Sequence, residues 1–130
     1  MDVTVSQAQG RVPVTIFHVA GAVTTNQELE ARAKAAYDGG TRNILIDLTE
    51  VPYMATAGLR ALHTIFALLR ADTPEESDAT TNAGIAAGTF VSPHLKLLNP
   101  NAYVLEVLKV AGYDMFLEIH HDMTQAVASF

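Results

Sequence analysis

Arg42-Asn43-Ile44-Leu45-Ile46-Asp47-Leu48-Thr49-Glu50-Val51-Pro52-Tyr53-Met54-Ala55-Thr56-Ala57-Gly58-Leu59, running on to Arg70, is the stretch that decides the fold. Ile44, Leu45, Ile46 and Leu48 form an apolar run broken only by Asp47, which suits a strand covered on both faces better than a half-exposed one. Val51 and Pro52 end it. Met54-Ala55-Thr56-Ala57-Gly58 then offers small residues, so the backbone there can approach a partner or ligand closely, and an apolar helix follows. Thr56 is the expected N-cap, its hydroxyl accepting from an orphan helix amide. Leu59, Leu62, Ile65, Phe66, Leu68 and Leu69 cover most of the helix circumference, while Arg60, His63, Thr64 and Arg70 mark its polar side; core packing accounts for most of these apolar side chains.

Working outward toward the N-terminus, Val3 to Ser6 alternates weakly and Gly10 breaks it. Val12 to Val19 is a better strand, with Val12, Val14, Ile16 and His18 on one face and Thr15, Phe17 and Val19 on the other. The two pieces read as an antiparallel pair joined near Gln9-Gly10, with Pro13 at an edge or a strand start. After Gly21, Thr25-Asn26-Gln27-Glu28 matches a capping box. It predicts a helix to about Asp38, with Leu29, Ala33, Ala36 and Tyr37 inward and Gly39-Gly40 as its stop.

Toward the C-terminus, Ala71 to Pro93 loses all periodicity, and its acidic, small and polar composition from Asp72 to Gly84 predicts an insertion. It reads either as a flexible surface loop or as a partner contact, with a short helix possible across Glu75 to Ala86. Leu95-Lys96-Leu97-Leu98 is a short strand, and Asn99-Pro100 is the expected start of a helix with Asn99 as cap. Val104, Leu105, Leu108 and Ala111 give its inner face and Gly112 its end. Met115 to Ile119 is the expected last strand. Asp122 to Gln125 opens a capped final helix that packs through Ala126, Val127 and Phe130.

These residues carry a resemblance. Ile46-Asp47-Leu48, Val51, Tyr53-Met54 and Ala55-Thr56-Ala57-Gly58-Leu59 resemble the signature region of STAS domains, the anti-sigma-factor antagonist family, whose members read Leu-Asp-Leu, Val, two or three apolar residues, then Asp-Ser-Ser/Ala-Gly-Leu and a helix. The Leu-Leu-Asn-Pro turn and the closing strand-helix pair resemble the family's C-terminal half. The chain departs from the family in its acids. Ala55 stands at the position of the usual Asp, and Thr24, three residues after Gly21, stands at that of a second. Thr56 remains as the loop hydroxyl.

The fold implied, and expected independently from strands alternating with helices after Asn43, is α/β: one STAS-like domain over residues 1–130, a mixed sheet with an antiparallel N-terminal pair, a parallel remainder, and helices mainly on one side. The 130 residues include no cysteine, which removes disulfides and thiolate sites and fits a reducing cytoplasm. No apolar run spans a bilayer and the N-terminus has no signal-peptide pattern, so a soluble, cytoplasmic protein without a membrane span is expected. A net charge of −6 and scattered basic residues argue against direct nucleic-acid binding.

Catalysis finds little support in the spacing. His63 lies about 10 Å along the helix from Thr56, too far to activate it. Adjacent His120 and His121, near Glu118 and Asp122, would point to opposite faces of a strand, which favours a solvated strand end over a metal site. No glycine-rich phosphate loop occurs, so no cofactor is expected. The resemblance implies instead a regulatory binding module that switches partners on an anti-sigma factor with serine/threonine kinase activity. Thr56 is then the candidate phosphorylation site, with helix capping as its competing role. Thr24, Tyr53, Met54, Ala55, Ala57, Gly58 and Arg60 are the candidate partner-binding residues. A non-phosphorylated scaffold subunit and a small-molecule or nucleotide sensor are the alternatives, and the sequence leaves the oligomeric state open.

Overall fold

A computed structural model describes residues 1–69 and 92–130. The strands are β1 (Asp2–Gln9), β2 (Pro13–Ala20), β3 (Ile44–Glu50), β4 (Leu95–Leu98) and β5 (Glu118–His120), and the helices are α1 (Gln27–Asp38), α2 (Thr56–Leu69), α3 (Ala102–Val110) and α4 (Met123–Ala128). One sheet holds the strands in the order β1-β2-β3-β4-β5. β1 and β2 are antiparallel and all later pairs are parallel, as expected. Pro13 opens β2, where its missing amide costs no ladder bond.

β3 is buried from both sides over Ile44 to Ile46, which explains its apolar run. Ile44, Ile46 and Leu48 join Phe17, Val19, Leu95 and Leu97 in the main core, against Leu29 and Ala33 of α1, Leu62, Ile65 and Phe66 of α2, and Val104 and Leu108 of α3. Leu45 points the other way, into a smaller cluster of Val14, Ile16, Leu98 and Ala126 under α4. Among the described residues, three helices therefore cover one face, and the short C-terminal helix covers part of the other. Lys96 reaches into that second layer and is almost fully buried. Its ammonium donates to the Ser129 carbonyl at 2.9 Å and to Ser129 Oγ at 3.0 Å, and pairs with Glu118 Oε2 at 2.9 Å.

Several helix starts differ from expectation. The Thr25–Glu28 capping box does not form: α1 begins at Gln27 behind Asn26, whose backbone is already helical and whose side chain makes no cap bond. Instead the Asn26 amide group donates to the Glu30 carboxylate. Thr56 is not the cap of α2 but its first helical residue, and the Ala55 carbonyl accepts from Gly58 N at 2.9 Å. The start of α3 lies two residues beyond Asn99-Pro100. Asn99 takes a left-handed φ of 53°, and Asn101 caps the helix through Oδ1, 2.7 Å from Val104 N. Ala111, expected inward, is exposed past the helix end. Most of the expected strand from Met115 is a 3-10 turn (Tyr113–Met115) and bend, so β5 begins only at Glu118. The cap of α4 is as expected, Asp122 Oδ1 accepting from Gln125 N at 2.9 Å. The insertion expected at 71–93 lies outside the described residues up to position 91. Of its last residues, Ser92 is buried and accepts from the amides of His94 and Leu95, both at 3.3 Å.

Candidate functional site

The site forms where β2 and β3 run out into loops at the same end of the sheet. Gly21, at φ 94°, turns the chain after β2, and its amide donates to the Glu50 carbonyl at 3.0 Å. Val23 then runs beside Met54 as a single parallel bridge, its amide donating to the Tyr53 carbonyl and its carbonyl accepting from Ala55 N, both at 2.9 Å. This bridge sets Thr24 beside Ala55 and Thr56, the three positions that the resemblance marks. All of the candidate residues from Tyr53 to Arg60 are thereby gathered on one loop and one helix turn.

Their exposure divides them. Met54 and Gly58 are buried and hold the loop down; Ala55 and Ala57 are half-buried; Thr24, Tyr53, Thr56 and Arg60 are exposed. Thr56 and Arg60 are one helical turn apart and share a face. A β-carbon on Gly58 would lie 2.6 Å from Met54 Cγ and 2.9 Å from Val23 Cγ1, so the close approach of α2 to the bridge requires glycine. No acidic side chain occupies the first turn of α2, leaving the positive end of the helix dipole without a carboxylate of its own helix.

Two residues outside the expected set complete the surface. The Asn101 side-chain amide donates to the Val51 carbonyl at 3.2 Å and to the Pro52 carbonyl at 3.4 Å, which ties the start of α3 to the loop ahead of Thr56. Tyr103, on the first turn of α3, stacks on Tyr53 with ring centroids 5.8 Å apart. From this stack an apolar groove of about 280 Å³ runs between Leu59, Val107 and the strongly exposed Val110. Beneath it, the Tyr113 hydroxyl donates to the Leu59 carbonyl at 2.9 Å, and burial pushes that phenol above its ordinary pKa. The signal that pointed to Tyr103 was present in the sequence as an aromatic outside the Val104/Leu108 face, but only the Tyr53 contact gives it meaning.

The remaining candidates do not join this site. His63 is exposed further along α2, and its ring lies 6.0 Å from that of Phe66. His120 Nε2 bonds Glu118 Oε1 at 3.1 Å on β5, while His121 is exposed beyond the strand. Among the described residues no three His, Asp or Glu side chains converge as a metal cage, and no helix is long and apolar enough to cross a membrane. What the loop and the first turn of α2 offer is a partly apolar surface without a carboxylate, carrying the Thr56 hydroxyl at the helix N-terminus and the Arg60 cation one turn on.

Comparison with known proteins agrees with this geometry. The architecture is similar to that of the anti-sigma factor antagonist SpoIIAA in its unphosphorylated form, at 13% identity over 97% of this chain and 93% of that one, with a TM-score of 0.70. It is also similar to an anti-sigma factor antagonist from Mycobacterium paratuberculosis, at 15% identity over 98% of this chain and 93% of that one, with a TM-score of 0.69. The phosphorylated form of SpoIIAA, a Bacillus cell fate determinant, gives a TM-score of 0.61 at 13% identity over 97% of this chain and 96% of that one. No curated protein matches the chain by sequence. The STAS domain model matches residues 5–73, more than half of the chain and all of the bridge, loop and first turn described above, so the chain belongs to the STAS domain family.

Proposed function

We propose that this domain is an anti-sigma factor antagonist that works by partner switching in the cytoplasm, binding an anti-sigma factor with serine/threonine kinase activity through the Tyr53 to Arg60 surface and Thr24. The observation that carries the reading is the placement of Thr56. It is exposed at the first helical position of a 14-residue helix, one residue past the N-cap position that Ala55 occupies, so its hydroxyl does not serve as the side-chain cap. The loop performs no chemistry of its own; it receives the phosphate from the partner. A phosphothreonine there adds close to two negative charges at the favourable end of the helix dipole, which the fold tolerates. The same charge beside the Tyr53–Tyr103 stack and the apolar groove disfavours a partner fitted to the unmodified surface.

The test is intact-mass spectrometry after incubation with ATP and the serine/threonine kinases of the protein's own cell extract, with Thr56→Ala alongside. One phosphate on the unaltered protein and none on the variant is expected. An unmodified Thr56 overturns the switch and leaves constitutive binding.

A further inference from the structure

On the sheet face opposite the main core, three side chains from three adjacent strands form a continuous chain of hydrogen bonds. Ser6 of β1 lies with Oγ 3.0 Å from His18 Nε2, and His18 of β2 lies with Nδ1 3.0 Å from Asp47 Oδ2 on β3. The register makes this possible: His18 sits directly opposite Asp47 in the parallel pair, and Ser6 is one diagonal step away on the antiparallel side. The far oxygen of Asp47, Oδ1, accepts from the Thr49 amide at 3.0 Å and from the Thr49 hydroxyl at 2.5 Å, so the carboxylate cannot swing away.

The protons on this chain follow from what each group can do. An ionised carboxylate only accepts, so a neutral His18 places its proton on Nδ1, facing Asp47. Nε2 then has a lone pair, and the Ser6 hydroxyl donates to it. This is the arrangement in which a serine is activated: nucleophile against base, and base oriented by a fixed carboxylate. Burial favours the orienting role of Asp47, whose side chain is 16% exposed, while the His18 side chain is 38% exposed and reachable. α4 covers Val14, Ile16, Leu45 and Leu98 on this face, and Ser6 on the outermost strand is only half-buried.

We propose that Ser6, His18 and Asp47 constitute a nucleophilic site, distinct from the Thr56 loop, at which Ser6 accepts an acyl group from an activated ester. In the step, Ser6 Oγ attacks the ester carbonyl as its proton passes to His18 Nε2. The new Oγ–acyl bond forms and the bond to the leaving oxygen breaks, releasing the alcohol component as its anion; His18 then returns the extra proton to solvent. The open sheet face suits esters whose leaving group departs without being protonated, such as aryl esters.

The test uses p-nitrophenyl acetate on the full chain, with release of p-nitrophenolate followed by absorbance and the acetylated residue located by peptide mass spectrometry. Ser6 is expected to acetylate at least 100-fold faster than the exposed hydroxyls of Thr24 and Thr124 in the same molecule, within the range that a positioned base contributes. His18→Gln is expected to abolish that advantage, and Asp47→Asn to reduce it by 10-fold or more, with cooperative melting checked for both. Acetylation of Ser6 no faster than of Thr24 and Thr124 in the unaltered protein overturns the proposal without recourse to any variant, and reduces the three residues to a tie between strands. A Ser6 rate unchanged in a folded His18→Gln protein overturns it equally.

Discussion

Gly58 illustrates how a single missing side chain positions the loop. Two effects of adding a methyl group there oppose each other. Alanine is the better helix former by about 1 kcal/mol. Forcing its β-carbon to within 3 Å of Met54 and Val23 costs about 1–3 kcal/mol, because the Val23–Met54 bridge is held by main-chain bonds and cannot retreat freely. The steric term wins, so Gly58→Ala is expected to be destabilised by about 1 kcal/mol in urea unfolding; a gain in stability would mean that the close approach is absent. At this scale much was legible from the sequence. The buried strand from Ile44 to Leu48, the small-residue loop and the shared face of Val14, Ile16 and His18 all follow from side-chain type and alternation. The contact of His18 with Ser6 and Asp47 does not, because positions 12 and 29 residues apart meet only through strand register, which alternation leaves undetermined.

Among the elements, α3 shows why helix starts were harder to read than strands. Asn99-Pro100 has the local preferences of a cap and first turn, yet Asn101 is the cap because its side chain satisfies both Val104 N and the carbonyls of Val51 and Pro52. A long-range tether outweighs the local preference. The Thr25 capping box and the Thr56 cap are displaced as well, each within two residues of the Val23–Met54 bridge. Two substitutions separate the roles of Asn101. Asn101→Ala removes cap and tether together and is expected to cost about 1–2 kcal/mol and to speed hydrogen exchange at the Val104 amide. Asn101→Asp retains the acceptor but has no donor, so it is expected to keep Val104 protected while loosening the Tyr53–Tyr103 stack, read as a change in the Tyr103 ring resonances. Equal exchange at Val104 in the two variants would show that the side-chain cap is not what protects it.

For the molecule as a whole, one sheet separates two unequal layers, and among the described residues both carboxylates that depart downward from their ordinary pKa lie on the side of the thinner one. Burial would raise Asp47, but bonds from Thr49 and His18 outweigh it and hold the carboxyl below the ordinary carboxylate range; burial likewise acts on Glu118, outweighed by Lys96 and His120, which hold it below its ordinary value. A carboxyl more acidic when folded stabilises the fold fully above its unfolded value, and that contribution is lost as pH falls through the lower folded value. Acid is therefore expected to lower the urea midpoint below about pH 4.5, with a shallower decline in Asp47→Asn; an identical profile for the variant would remove Asp47 from the account. The order of strands across the sheet, which is also their order along the chain, bears on how the molecule assembles. Each strand docks on the free edge left by its predecessor, and none has to be inserted between two already paired. Such growth lets each completed strand serve as the template for the next, with the longest closure falling between β3 and β4, which are separated by residues 51–94.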